Sequence, residues 1–215
     1  GMLVDGDVGR IVAAVDELEL CDKTAVVFTS DHGPWSGMPK LFNSSGPLRG
    51  EKRQLYEGGI RVPFIARWPG QAPAGAVSDE VIAFWDMLPT FAELASASAP
   101  QNIDGISVVA ALRGGEVESP HEYLYWDYGH AREVYHQAIR MGPWKAVRHG
   151  VGGPIELYDL SRDLGESQDA SAAHPQLVEQ IERLMQTAVT PSPRYEVGKL
   201  YTGQPIWKPS PRQAA

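Results

Sequence analysis

Ala25, Val26, Val27 and Phe28 form a short unbroken apolar run that gives way at once to Thr29, Ser30, Asp31, His32, Gly33 and Pro34. A run this short and continuous reads as a strand buried on both faces, the habit of parallel-sheet strands. Polar groups placed just past the carboxyl end of such a strand stand where open α/β sheets bind their ligands. The reading is therefore an α/β chain built on a mostly parallel sheet with flanking helices, and residues 31 and 32 are the first place to look for chemistry.

The flanking pattern agrees. Val4, Val8, Ile11, Val15 and Leu18 recur at helical spacing and predict a helix over about residues 3–19 with one face buried. Residues 35–56 hold Gly37, Pro39, Gly46, Pro47 and Gly50 with little periodicity, which predicts a long loop of the kind that carries function. Ile60–Trp68 reads as a second strand, with Pro63 favouring an edge or a bulge. Asp86 is placed to cap a helix carrying Leu88, Phe91 and Ala95, and a short helix covers Ser107 to Arg113.

Beyond Gly114 and Gly115 the pattern changes. Aromatic-rich stretches at 122–128, 134–140, 144–149 and 155–160 are separated by Gly and Pro, as in a small antiparallel sheet. His174 to Val189 then carries Leu177, Ile181, Leu184 and Ala188 at the spacing of a helix packed on that sheet. The chain divides on this reading into an α/β portion at 2–115, a small α+β subdomain (antiparallel sheet with one packed helix) at 116–190, and an extended proline-rich tail at 191–215.

Nineteen Lys and Arg stand against 27 Asp and Glu, a net charge of -8, which repels phosphate backbones and argues against nucleic-acid binding. No apolar run approaches the roughly 18 residues that would span a bilayer, so no membrane partner is expected. Cys21 is the only cysteine, and no internal disulfide can form.

Asp31 and His32 put a carboxylate beside an imidazole, and either can bind a divalent cation. Oxygen donors favour Ca²⁺, Mg²⁺ or Mn²⁺, and an adjoining imidazole shifts preference toward Mn²⁺, Fe²⁺ or Zn²⁺. Taken alone, the dipeptide is more readily a turn in which Asp31 accepts backbone hydrogen bonds. Lys52, within Leu48-Arg49-Gly50-Glu51-Lys52, offers an ammonium able to bind a sulfate or phosphate oxygen and to stabilise charge on a leaving oxygen. Taken alone, it is more readily a solvated lysine. Trp35 either lines the rim of a pocket or packs. His121, His136, His149 and His174 show no metal-ligand spacing, and Trp126, Tyr128 and His130 either form an aromatic loop overhanging a cleft or take ordinary core and turn roles.

Read in order, Phe28 to Pro34, Leu48 to Lys52 and Leu55-Tyr56-Glu57-Gly58-Gly59-Ile60-Arg61-Val62-Pro63 closely resemble a stretch of sulfatases of the alkaline-phosphatase-like superfamily. The likeness continues through Trp68-Pro69-Gly70, Asp86 to Thr90, Asp104-Gly105, Arg140 to Lys145 and Glu156 to Leu160. It implies a partial alkaline-phosphatase-like fold, with Asp31 and His32 as metal ligands and Lys52 in contact with the sulfate. The metal implied is Ca²⁺, with Mn²⁺ or Mg²⁺ as alternatives. Many sulfatases carry Asn at the position of His32, and a His there is more like choline sulfatases, iduronate sulfatases and phosphonate monoester hydrolases. Glu57 and Arg61 read as a buried charge pair supporting the loop.

Sulfatases also use a formylglycine made within Cys/Ser-x-Pro-x-Arg, together with an early pair of aspartates, and these lie upstream in the family. Upstream of Asp31 this sequence has no such motif, and Cys21 does not fit one. The expectation is the C-terminal portion of a sulfate ester hydrolase, inactive alone. A phosphonate or phosphate ester hydrolase portion and a non-catalytic interaction module are the alternatives. A strand left without a neighbour invites pairing with another chain, so a homo-oligomer or a complementing N-terminal chain is the expected partner.

Overall fold

The computed structural model describes residues 2–35, 42–128 and 134–190. Its helices are α1 (Met2–Glu17), the one-turn α2 (Glu57–Ile60), α3 (Met87–Leu94), the one-turn α4 (Val109–Leu112) and α5 (Pro175–Thr187); its strands are β1 (Val26–Thr29), β2 (Phe64–Arg67), β3 (Leu124–Tyr128), β4 (His136–Met141), β5 (Trp144–His149) and β6 (Ile155–Asp159). The proline-rich tail at 191–215 and His130 lie outside the described residues. Among the described residues no helix is long and apolar enough to cross a membrane.

Two compact units emerge, one from Gly1–His32 with Arg61–Leu124 and one from Gly33–Ile60 with Tyr125–Ala215. The segment after β1 thus joins the C-terminal sheet, where a contiguous division near residue 115 would have kept it with the N-terminal portion.

In the first unit β1 pairs with β2 antiparallel, with Val26 opposite Arg67 and Thr29 opposite Phe64. This corrects the parallel pairing anticipated from the apolar run, and the mostly parallel sheet is not what the described residues form. The physical reason is that a continuous apolar run signals burial without fixing strand direction. Nor is the burial complete: among the described residues these two strands make the whole of their sheet, and Phe28 and Ile65 stay 38% and 61% exposed. α1 forms where its spacing predicts, yet none of its residues is buried: Val8 and Val15 are half-buried, while Val4, Ile11 and, just past its end, Leu18 are exposed. Its end is tied to β2 by Asp16, whose Oδ1 meets Arg67 NH2 at 2.7 Å.

Asp86 plays a larger part than a helix cap. Fully buried, it accepts the Ala83 N–H at 2.7 Å and the Ile106 N–H at 3.0 Å, and its Oδ1 lies 2.8 Å from His121 Nε2. Thr90 Oγ1 donates to the Asp86 carbonyl at 2.6 Å and accepts the Val108 N–H at 3.0 Å. Gly105 closes the knot, because a Cβ there would sit 2.0 Å from the Trp85 carbonyl oxygen.

In the second unit the strands follow the order β3-β4-β5-β6. β4 and β5 are antiparallel with Ala138 opposite Val147, and β5 and β6 are antiparallel with Lys145 opposite Tyr158. Period-two alternation divides the side chains between two faces. Ile139, Ala146 and Leu157 are fully buried on one face, and Ile181 and Met185 of α5 are buried with them, α5 meeting both β4 and β6. Ala138, Val147 and Tyr158 occupy the other face in one cluster with Leu55, Tyr56 and Leu160, against which Ile60, Trp126 and Tyr128 pack. Trp126 and Tyr128 are therefore strand residues of β3 that support a core, not loop residues. The small antiparallel sheet with one packed helix follows the expectation from periodicity, with segment 49–60 lying on its second face.

Candidate active site

Asp31 and His32 follow β1 directly. Ser30 Oγ donates to the His32 carbonyl at 2.8 Å and bends the chain there. The Asp31 carboxylate is 84% exposed, and its Oδ2 lies 3.3 Å from His32 Nε2, whose side chain is 32% exposed. It accepts no backbone hydrogen bond among the described residues, so the plain turn reading does not describe it. An oxygen donor and a nitrogen donor stand side by side and open to solvent. They make a pair and no more, since no group of three or more His, Cys, Asp and Glu able to hold a metal ion occurs among the described residues. The donor types fit a divalent cation, with further ligands to be supplied from elsewhere.

Lys52 and Trp35 belong to the second unit. The Lys52 N–H donates to the Pro34 carbonyl at 2.9 Å, fixing its backbone to a residue that follows His32 closely in sequence. Its Nζ stands 5.3 Å from the centre of the Trp35 ring, and the Arg53 guanidinium stands at the same distance from that ring. Trp35 is half exposed, a flat face for two cations and not a core residue.

The loop that carries Lys52 is tightly closed. Gly58 N–H donates to the Arg49 carbonyl at 2.6 Å, and the Gln54 N–H donates to Glu51 at 3.0 Å. No side chain fits inside: a Cβ on Gly59 would meet the Gln54 carbonyl oxygen at 2.0 Å, and one on Gly33 would meet the Gly58 carbonyl oxygen at 1.9 Å. Arg49 stacks on the Tyr56 ring at 3.9 Å and donates to Tyr158 Oη at 2.8 Å and to the Glu166 carbonyl at 2.9 Å. Tyr56 and Tyr158 both donate to Glu156 Oε2, at 2.7 and 2.6 Å. Burial, together with that carboxylate, pushes both phenols far above their usual range and keeps them protonated donors.

Glu57 is buried, as its position implied, and its cation is Lys145, whose Nζ lies 2.8 Å from Glu57 Oε1; Arg140 NH1 follows at 3.6 Å. Arg61 is exposed, so the charge buried with Glu57 is that of Lys145. Glu166 completes this cluster by accepting the Glu57 N–H at 2.7 Å, with its Oε1 4.0 Å from Lys145 Nζ. Sequence reading assigned no part to Lys145 or Glu166. The signal for Lys145 was present in the alternation of β5, which puts it on the same buried face as Val147 and so demands a counter-charge. Glu166 sits among Asp163, Ser167 and Asp169, and nothing local separates it from them.

Most of the chain matches known proteins. The family model described as N-sulphoglucosamine sulphohydrolase, C-terminal, matches residues 50–190, and the model described as sulfatase matches residues 2–97. The chain belongs to the sulfatase family. Mouse steryl-sulfatase is 32% identical over 96% of this chain and 39% of its own length, and human arylsulfatase A is 32% identical over 85% of this chain and 41% of its own. The crystal structure of Ps i-CgsB in complex with k-i-k-neocarrahexaose is 30% identical with a TM-score of 0.73, covering 86% of this chain and 40% of that one. The phosphonate monoester hydrolase of Agrobacterium radiobacter shares the fold alone, at 23% identity and a TM-score of 0.68 over 86% of this chain and 38% of that one. The chain spans about two fifths of the length of the relatives it matches.

Proposed function

We propose that the chain is the C-terminal part of a metal-dependent hydrolase of sulfate monoesters. Asp31 and His32 would hold the divalent metal, Ca²⁺ or else Mn²⁺ or Mg²⁺, and Lys52 would bind the sulfate group. The observation that carries this reading is the Asp31 carboxylate, bare to solvent beside the His32 imidazole in the sulfatase order of motifs. When bound, the metal would draw negative charge from the sulfate oxygens. Lys52 would fix the anion with a charge-assisted hydrogen bond and stabilise the negative charge that develops as the ester oxygen departs. Trp35 would brace the Lys52 and Arg53 cations at the edge of the anion.

Turnover by this reading needs the formylglycine segment, which a complementing N-terminal chain or region would bring. The exposed Val4 and Ile11 of α1 and the exposed Phe28 and Ile65 of the β1–β2 pair support a partner of that kind, since contiguous exposed apolar faces mark interaction surfaces. A homo-oligomer is the other occupant. The test is to supply the missing half, then measure bound metal and hydrolysis of an aryl sulfate beside a phosphonate monoester. Metal uptake with sulfate hydrolysis supports the proposal. Phosphonate hydrolysis alone moves the assignment to the second ester class, which His32 favours by resemblance. No metal at micromolar levels, with the half supplied, leaves a non-catalytic interaction module.

A further inference from the structure

Both ends of the Lys52 loop rest on one residue. Arg49, at its start, donates through NH1 to the Glu166 carbonyl oxygen, and Glu57, at its end, donates its backbone N–H to the Glu166 carboxylate. The Gly58 N–H then closes the loop on the Arg49 carbonyl. Glu166 is fully buried, its Oε1 has no hydrogen-bond partner, and the Lys145 ammonium, also fully buried, stands between it and Glu57. Two carboxylates and an ammonium are costly to bury, and a core of apolar residues would hold a loop with less penalty. What the charged cluster adds is a fixed register for a loop that is almost all backbone.

We propose that Glu166 is a positioning residue for Lys52: by seating both ends of the 49–58 loop it sets where the Lys52 ammonium stands, with Lys145 as the counter-charge that keeps the seat in place. The inference rests on the reading of Lys52 as the group that meets the sulfate. Glu166 touches no substrate and acts only through Arg49, Glu57 and the loop between them.

The experiment uses the full chain and two readouts. In the Glu166→Ala variant, amide exchange at Lys52, Glu57 and Gly58 should quicken by about tenfold or more, while Ala138 and Val147 in the β4–β5 ladder stay within about threefold of the parent. Glu166→Gln, which keeps an acceptor for the Glu57 N–H, should restore the loop. Affinity for inorganic sulfate should fall with the loop's protection in Glu166→Ala and return in Glu166→Gln. Unchanged exchange at the loop, or equal quickening across the sheet, overturns the proposal. So does a loosened loop that binds sulfate as the parent does while Lys52→Ala binds it less well. If Lys52→Ala leaves sulfate binding untouched, the reading of Lys52 falls instead, and the exchange result still stands on its own.

Discussion

Replacing Glu166 with Gln should make the second unit less sensitive to pH, in a direction and window that the structure fixes. Burial is the main influence on the Glu166 carboxyl; Lys145 and the Glu57 N–H pull the other way without cancelling it, and its pKa is raised from 4.5 to about 7. Below pH 4.5 folded and unfolded chains both carry the proton, and this carboxyl contributes no pH dependence. Between 4.5 and about 7 the folded state keeps a proton that the unfolded state has lost, so stability falls as pH rises, by about 1.4 kcal/mol per pH unit. Across the window the loss is on the order of 3 kcal/mol, and above it the curve flattens again. Gln keeps the shape and the acceptor and cannot ionise. Asp163 and Asp169, whose carboxyls are lowered by hydrogen bonds that outweigh their burial, lose their contribution only as pH falls through the acid range. Both variants share them, so they cancel in the difference. The assay is urea unfolding at pH 4.5, 6 and 8, read from amide exchange in β5. The Gln variant should gain on the parent by roughly 3 kcal/mol between the first pH and the last. Parallel curves would refute the reasoning, because they would mean that the buried carboxyl ionises as easily in the fold as in water.

Lys145→Met leaves the Glu57 carboxylate buried without the Lys145 ammonium and should destabilise the second unit by about 3–5 kcal/mol in urea unfolding, part of which Glu57→Gln should return. Gly59→Ala puts a methyl 2.0 Å from a carbonyl oxygen and should lower the melting temperature by several degrees, while Gly9→Ala in α1, with open space around it, should raise stability by about 0.5–1 kcal/mol. Asp31→Ala removes an exposed carboxylate, so thermal melting should hold within about 0.5 kcal/mol of the parent, while Mn²⁺ affinity measured by calorimetry should fall by about tenfold or more.

The elements that announced themselves in the sequence are those whose signal is local. The four aromatic stretches became β3 to β6 because Gly142 and Gly150 mark turns with positive φ between them, and Leu177, Ile181 and Leu184 became α5 because helical spacing needs no partner to be visible. The partner of β1 was not visible, since Val26 and Val27 would look the same beside a parallel or an antiparallel neighbour. For Glu57 the nearest cation in sequence, Arg61, was the natural choice, and the buried cation Lys145 comes from a strand far along the chain. Motif order pointed to Asp31, His32 and Lys52, whereas the supporting roles of Lys145 and of Glu166, the latter outside every motif, cannot be read from it. They are recognised only when β5 places an ammonium among Ala138, Val147 and Tyr158 and the chain must neutralise it.

The second unit is stitched from two pieces of chain, 33–60 and the stretch from residue 125, with residues 61–124 of the first unit threaded between them. During synthesis Lys52 leaves the ribosome long before Lys145 and Glu166 exist, so its loop has nothing to settle on while the intervening residues are made. Contacts so distant in sequence form late and slowly. Lys52 should therefore take up its place as one of the last events of maturation, and a chain cut short ahead of β5 would carry every recognisable sulfatase motif up to Asp104-Gly105 while lacking the platform on which the Lys52 loop rests.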